Sequence, residues 1–228
     1  MNHEMINAVI SGLLFLFCIV CWRQRRKEAR AEEKDRTGNP PSLELTEWDR
    51  QSIAYHEAGH AVCSFFLPER EPLVRITIDP SAEGFGMIQT QPRLHHNETR
   101  VSFVASIATL LAGRLSEELL LGVTSTSCIH DLAAARRIAA DMVVRFGMGE
   151  KYGLAVPCME DGTPIGAAAA EAVGADIRRI LLEARQTASV ILAGHRETVR
   201  RLAETLLEKK TLNADEIKDF FASVTEKA

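Results

Sequence analysis

His56-Glu57-Ala58-Gly59-His60 is an H-E-x-x-H pattern, the arrangement by which one helix offers two imidazoles to one metal ion. Residues four apart share a helix face, so both rings can reach the same point. Glu57 sits about a quarter-turn round, where it addresses a water held at the metal rather than the metal itself. The chemistry such a set serves is metal-assisted hydrolysis. A catalytic zinc takes three protein ligands and keeps a further position open for water or substrate. His56 and His60 supply two of the three. Glu117, Glu118, His130 and Asp131 are the candidates for the third, all far enough along the chain to return on a following helix. The plain alternative is a helix with two packed or solvated histidines.

The elements that must position these residues are legible as well. Thr46-Glu47-Trp48-Asp49 offers a capping oxygen and early acids, so a helix is expected from Thr46 to about Phe66, where Pro68 stops it. Residues 73–78 alternate and are β-branched, which predicts a strand, with a second over 87–90 after the Gly84-Phe85-Gly86 turn. A strand can take up an extended peptide at a sheet edge, and 73–78 is the expected place for it. Long helices are expected over 98–121, ended by Gly122, and over 129–146. Residues 147–166 read as loop with one short strand. Two more helices follow, near 168–193 and 195–210, and Asn213 caps a last one ending near Val224. The soluble part is therefore mainly α (α+β), a helical domain with a small β element.

Ahead of it, residues 5–22 are uncharged and dominated by Ile, Leu, Val, Phe and Cys. As a helix they span roughly 27 Å, enough for one transmembrane anchor over residues 1–22. Arg23, Arg25, Arg26, Lys27 and Arg30 all follow this run, and residues 23–45 form a basic, then Gly/Pro-containing linker. The positive-inside rule places Met1 outside and the domain over 46–228 in the cytoplasm. The lipid bilayer is thus one expected partner. Net charge is −4 and the pI about 6.0, so nothing suggests nucleic acid. Five cysteines without framework spacing fit a reducing compartment. Cys18 and Cys21 form C-x-x-C inside the apolar run, a place for helix packing rather than redox chemistry.

Tyr55 to Ala61, Leu67-Pro68 and the strand Val74-Arg75-Ile76-Thr77-Ile78 resemble the peptidase domain of FtsH-type membrane AAA metalloproteases. So do Leu111-Ala112-Gly113-Arg114-Leu115-Ser116-Glu117-Glu118, Arg137-Ile138-Ala139 and the stretch from Phe146 to Gly153. The resemblance runs over about residues 50–224. It implies a zinc endopeptidase acting on polypeptides, with Zn²⁺ held by His56, His60 and Asp131 and with Glu57 as the catalytic base. It also implies a hexameric homo-oligomer. Glu117 and Glu118 then become residues that orient a histidine or pair with Arg114.

Two departures matter. The family's Gly-Ala-Ser-Asn before the aspartate is Ser127-Cys128-Ile129-His130 here, and loss of that glycine bears on the loop carrying the ligand. His130 is read as a solvated loop histidine and Cys128 as a small buried filler. In addition, no G-x-x-x-x-G-K-[S/T] stretch occurs, so the chain is expected to carry an anchor and a protease without the ATPase, and to use a separate ATPase partner if it uses one. The rival from another class is a protease-like binding or regulatory subunit with little turnover.

Overall fold

The computed structural model describes residues 45–67, 71–79, 86–91, 97–159 and 161–225. The expected anchor and the linker up to residue 44 lie outside them. Among the described residues no helix is long and apolar enough to cross a membrane.

Helix α1, Glu47–Phe66, begins on Thr46 with a full capping box. The Thr46 hydroxyl accepts from the Asp49 backbone N–H at 3.1 Å, and the Asp49 carboxylate accepts from the Thr46 backbone N–H at 2.9 Å. From Ser52 to Ser64 every residue of α1 is buried. A helix surrounded on all sides needs no single apolar stripe, which is why its sequence is rich in small residues rather than strongly amphipathic. Strands β1, Leu73–Thr77, and β2, Met87–Thr90, follow as an antiparallel pair with an irregularity between Leu73 and Arg75.

Helix α2, Arg100–Leu121, is capped by Thr99 and ends at Gly122, whose φ of 72° is the left-handed conformation that glycine adopts at least cost. Helix α3 spans Ile129–Val144, α4 Ala167–Gly194 and α5 Arg196–Lys209. A short strand β3, Thr211–Asn213, leads into α6, Ala214–Thr225. Asn213 caps α6, its side-chain oxygen accepting from the backbone N–H groups of Asp215 and Glu216. Among the described residues of the loop between α3 and α4, only an isolated bridge, Cys158 to Pro164, stands where a short strand was expected.

α1 packs chiefly against α2 and α5, and α2 in turn against α4 and α3. The α1–α2 contact is close because Gly59 leaves no room for more. A Cβ there would lie 2.4 Å from Ser116 Cβ and 2.6 Å from the Ala112 carbonyl oxygen. Ser116 fastens the same contact by donating to the Tyr55 carbonyl at 2.5 Å. Across the other face of α2, Arg100 makes a two-pronged pair with Glu183 of α4, exposed and so worth less than about 1 kcal/mol.

The sheet order is β2-β1-β3, all antiparallel. β3 was not expected, being three residues long, and its presence corrects the expected site of peptide pairing. β1 is the central strand, with Ile76 opposite Ile88 on one side and Leu212 on the other. Over Arg75–Thr77 it is paired on both sides, and the Ile78 N–H is also taken, by the Lys210 carbonyl. Among the described residues, no strand pairs with β2 on the side away from β1.

Candidate metal centre

Three ligand atoms from two helices meet at one point. His56 Nε2 lies 3.1 Å and His60 Nε2 3.4 Å from the same oxygen, Oδ2 of Asp131. The two histidines come from one face of α1 and are buried, and Asp131 comes from the first turn of α3, where the helix dipole favours a carboxylate. These atoms all fall within 4.8 Å of one another, a spacing that could hold one metal ion.

The second nitrogen of each ring is fixed. His60 Nδ1 donates to the Thr109 carbonyl at 2.7 Å, and His56 Nδ1 meets Glu117 Oε1 at 2.6 Å. Glu117 is fully buried and accepts from the Ser125 backbone N–H at 2.7 Å. With each Nδ1 engaged by an acceptor, both Nε2 atoms are left to face inward as donors to a metal. The electrostatics agree. Burial opposes charge on His56, but Asp131 and Glu117 outweigh it and push its pKa up to about 9. Burial works against Asp131 too, yet the two histidines hold its carboxyl well below the usual range.

Gly113 gives the sharpest test of fit. A Cβ on this α2 residue would stand 2.5 Å from His56 Nε2 and 2.6 Å from His60 Nε2. That space lies directly against both Nε2 atoms, and it is kept clear by a glycine in mid-helix. The donor set of two imidazoles and a carboxylate suits Zn²⁺.

Glu57 is 6% exposed, on the same helix but off the histidine face. Burial raises its pKa, and the neighbouring His60 and His56 counteract only in part. Its carboxylate lies against the backbone of Gly86 at the entry to β2, where a Cβ would come within 2.6 Å of Oε1. The edge strand therefore starts beside the one acid that is not tied to a histidine ring.

The other expectations resolve clearly. Of the four candidates for a third ligand, only Asp131 reaches the histidine Nε2 atoms. Glu117 supports His56 from behind, Glu118 is exposed, and His130 is exposed and outside the cluster. Cys128 is buried, with Sγ 3.9 Å from Arg114 Nη1 and 3.4 Å from the Ser125 carbonyl. Sequence reasoning missed Ser127. Its hydroxyl donates to Glu117 Oε1 at 3.0 Å and lies 3.2 Å from His56 Nδ1. The only sequence signal was its place where the family carries glycine. Gly86 and Gly113 were missed as well, because a glycine's role in keeping space clear shows only in three dimensions.

Comparison with known proteins agrees with this geometry. The pattern of Peptidase family M41 matches residues 43–220. The chain is 35% identical over 196 residues to the ATP-dependent zinc metalloprotease YME1L of Drosophila melanogaster, covering 82% of this chain and 26% of that protein. It is 32% identical over 191 residues to the ATP-dependent zinc metalloprotease FtsH of Cupriavidus metallidurans, covering 79% and 29%. With FtsH of Thermus thermophilus the identity is 31% over 228 residues, covering 92% and 36%. The chain thus spans about a quarter to a third of the length of these relatives. Agreement of this extent, over nearly all of the described residues, places the chain in peptidase family M41, a family of zinc metallopeptidases.

Proposed function

We propose that this chain is a membrane-anchored, cytoplasm-facing zinc endopeptidase that cuts unfolded or flexible polypeptides. The observation that carries the proposal is the meeting of His56 Nε2, His60 Nε2 and Asp131 Oδ2 at a space guarded by Gly113, with Glu57 alongside. In this reading the three residues hold zinc, and Glu117 and the Thr109 carbonyl keep the rings turned inward. Bound zinc would acidify a water and polarise the scissile carbonyl. Glu57 would take the proton of the attacking water and return it to the leaving amine nitrogen. Its burial suits this, since a raised carboxyl pKa makes a better proton acceptor. An extended substrate would lie along the free edge of β2, which brings its backbone past Glu57.

The anchor and its orientation rest on residues 5–22 and the basic flank after them. The 228 residues contain no G-x-x-x-x-G-K-[S/T], so the chain on its own is proposed to act without ATP. Assembly as a hexamer, and delivery of substrates by a separate ATPase, are the partners that its family membership suggests.

The ligand assignment is tested by metal analysis of single variants. His60→Ala and Asp131→Ala should each lose most of about one zinc per chain, and casein cleavage with it. His130→Ala should keep both. Full metal in Asp131→Ala, with loss in His130→Ala, would sink the assignment.

A further inference from the structure

Helices α2 and α3 each carry a second stripe beside the one that serves the histidines. On α2, Gly113 and Glu117 face the metal centre, while Leu111, Arg114, Leu115 and Glu118 line a cavity of about 640 Å³. On α3, Asp131 faces the centre, while Ile129, Leu132 and Arg136 line the same cavity, which α4 closes. We propose that this cavity is a binding site for a long-chain fatty carboxylate.

Its floor is apolar, formed by the buried Leu111, Leu115 and Ala135. Its walls include Ile129, Leu132 and Leu182, which are 65%, 40% and 55% exposed. Three large aliphatic side chains open to solvent around one hollow form a patch that an apolar ligand would cover. The rim has the opposite character. Arg114, Arg136, Arg178 and Arg185 come from all three helices, against the single carboxylate of Glu118. None of the four forms an ion pair with a described residue. What distinguishes these four is that they come from three helices to line one hollow, with one carboxylate among its lining residues. An apolar trough lined by four guanidinium groups without carboxylate partners among the described residues is complementary to a molecule with an aliphatic tail and one anionic head.

Size selects the class. The volume lies within the roughly 300–1,000 Å³ of pockets that enclose one small ligand. A protein partner would need about 800 Å² of matching surface on each side. One acyl chain suits the hollow better than the two of a phospholipid, and a carboxylate accepts two N–H groups from an arginine fork.

The test uses the full chain and hexadecanoate carrying a diazirine near its methyl end. Irradiation should place adducts on the α2, α3 and α4 residues that line the cavity, and unlabelled hexadecanoate should compete. Combining Arg136→Gln with Arg185→Gln should weaken the apparent affinity about tenfold, through loss of charge-assisted hydrogen bonds. Leu182→Glu should weaken it to a similar degree by placing a carboxylate in the trough. All three positions are exposed, so the variants should keep the unfolding temperature of the wild type. A diazirine-labelled hexadecanol should label the cavity about tenfold less. Adducts confined to residues 1–45, equal labelling by the alcohol, or unchanged labelling of the arginine variant would each overturn the proposal. So would a cavity that takes no label because a second copy of the chain covers it.

Discussion

At the scale of single residues, the metal centre depends as much on what is kept out as on what is supplied. His56 and His60 cannot turn away from Gly113, because their Nδ1 atoms are held by Glu117 and by the Thr109 carbonyl. A methyl group at position 113 therefore meets two fixed nitrogens rather than two mobile ones. Gly113→Ala should abolish zinc binding, with the helical circular-dichroism signal retained; a full complement of zinc in that variant would contradict the geometry. Ser127 acts one step further back, through Glu117 and His56. Ser127→Ala should weaken zinc affinity about tenfold, the lower end of the effect of partners that orient a metal ligand. Ser127→Thr, which keeps the hydroxyl, should restore it. Competition with a chelator reads both variants without reference to activity.

At the scale of elements, α1 and α2 form the platform that sets the distance between the histidines and Gly113. Gly59→Ala would push a Cβ into Ser116 and the Ala112 carbonyl, and backbone cannot yield as a long side chain can. The expected cost is about 1–3 kcal/mol, read as a lower urea midpoint with an unchanged slope. An unfolding midpoint equal to that of the wild type would show that the contact is looser than described. Most of these elements were legible in the sequence, for local reasons. Thr46 with Asp49, Gly122 and Asn213 are start and stop signals that act within a few residues, and each ends or begins a helix where expected. That His56 and His60 share a helix face was legible from the H-E-x-x-H spacing, while Asp131, which the structure brings beside them, needed the resemblance to separate it from Glu117, Glu118 and His130. What stayed hidden depends on contacts distant in sequence. β3 is only three residues long, and it is a strand because β1 lies beside it. Its pairing makes β1 a central strand over Arg75–Thr77, which no local pattern could reveal.

At the scale of the whole molecule, the central question is what the chain can do alone. Opening a folded substrate typically requires about 5–15 kcal/mol, and on the proposed reading the purified chain works without ATP and so has no source for that work. Cleavage of a folded substrate should therefore track its open fraction. Destabilising that substrate by about 1.4 kcal/mol should raise the rate tenfold, and ATP should leave the rate of the purified chain unchanged. The most direct test of the account joins metal and chemistry in one pair of proteins. Zinc content and cleavage of unfolded casein are measured on the wild type and on Glu57→Gln. Both should hold about one zinc per chain, since Glu57 is not among the converging ligand atoms. Only the wild type should cut, with the variant slower by at least about a hundredfold. Cleavage by Glu57→Gln at the wild-type rate, or a wild type that cuts casein without zinc, would contradict it.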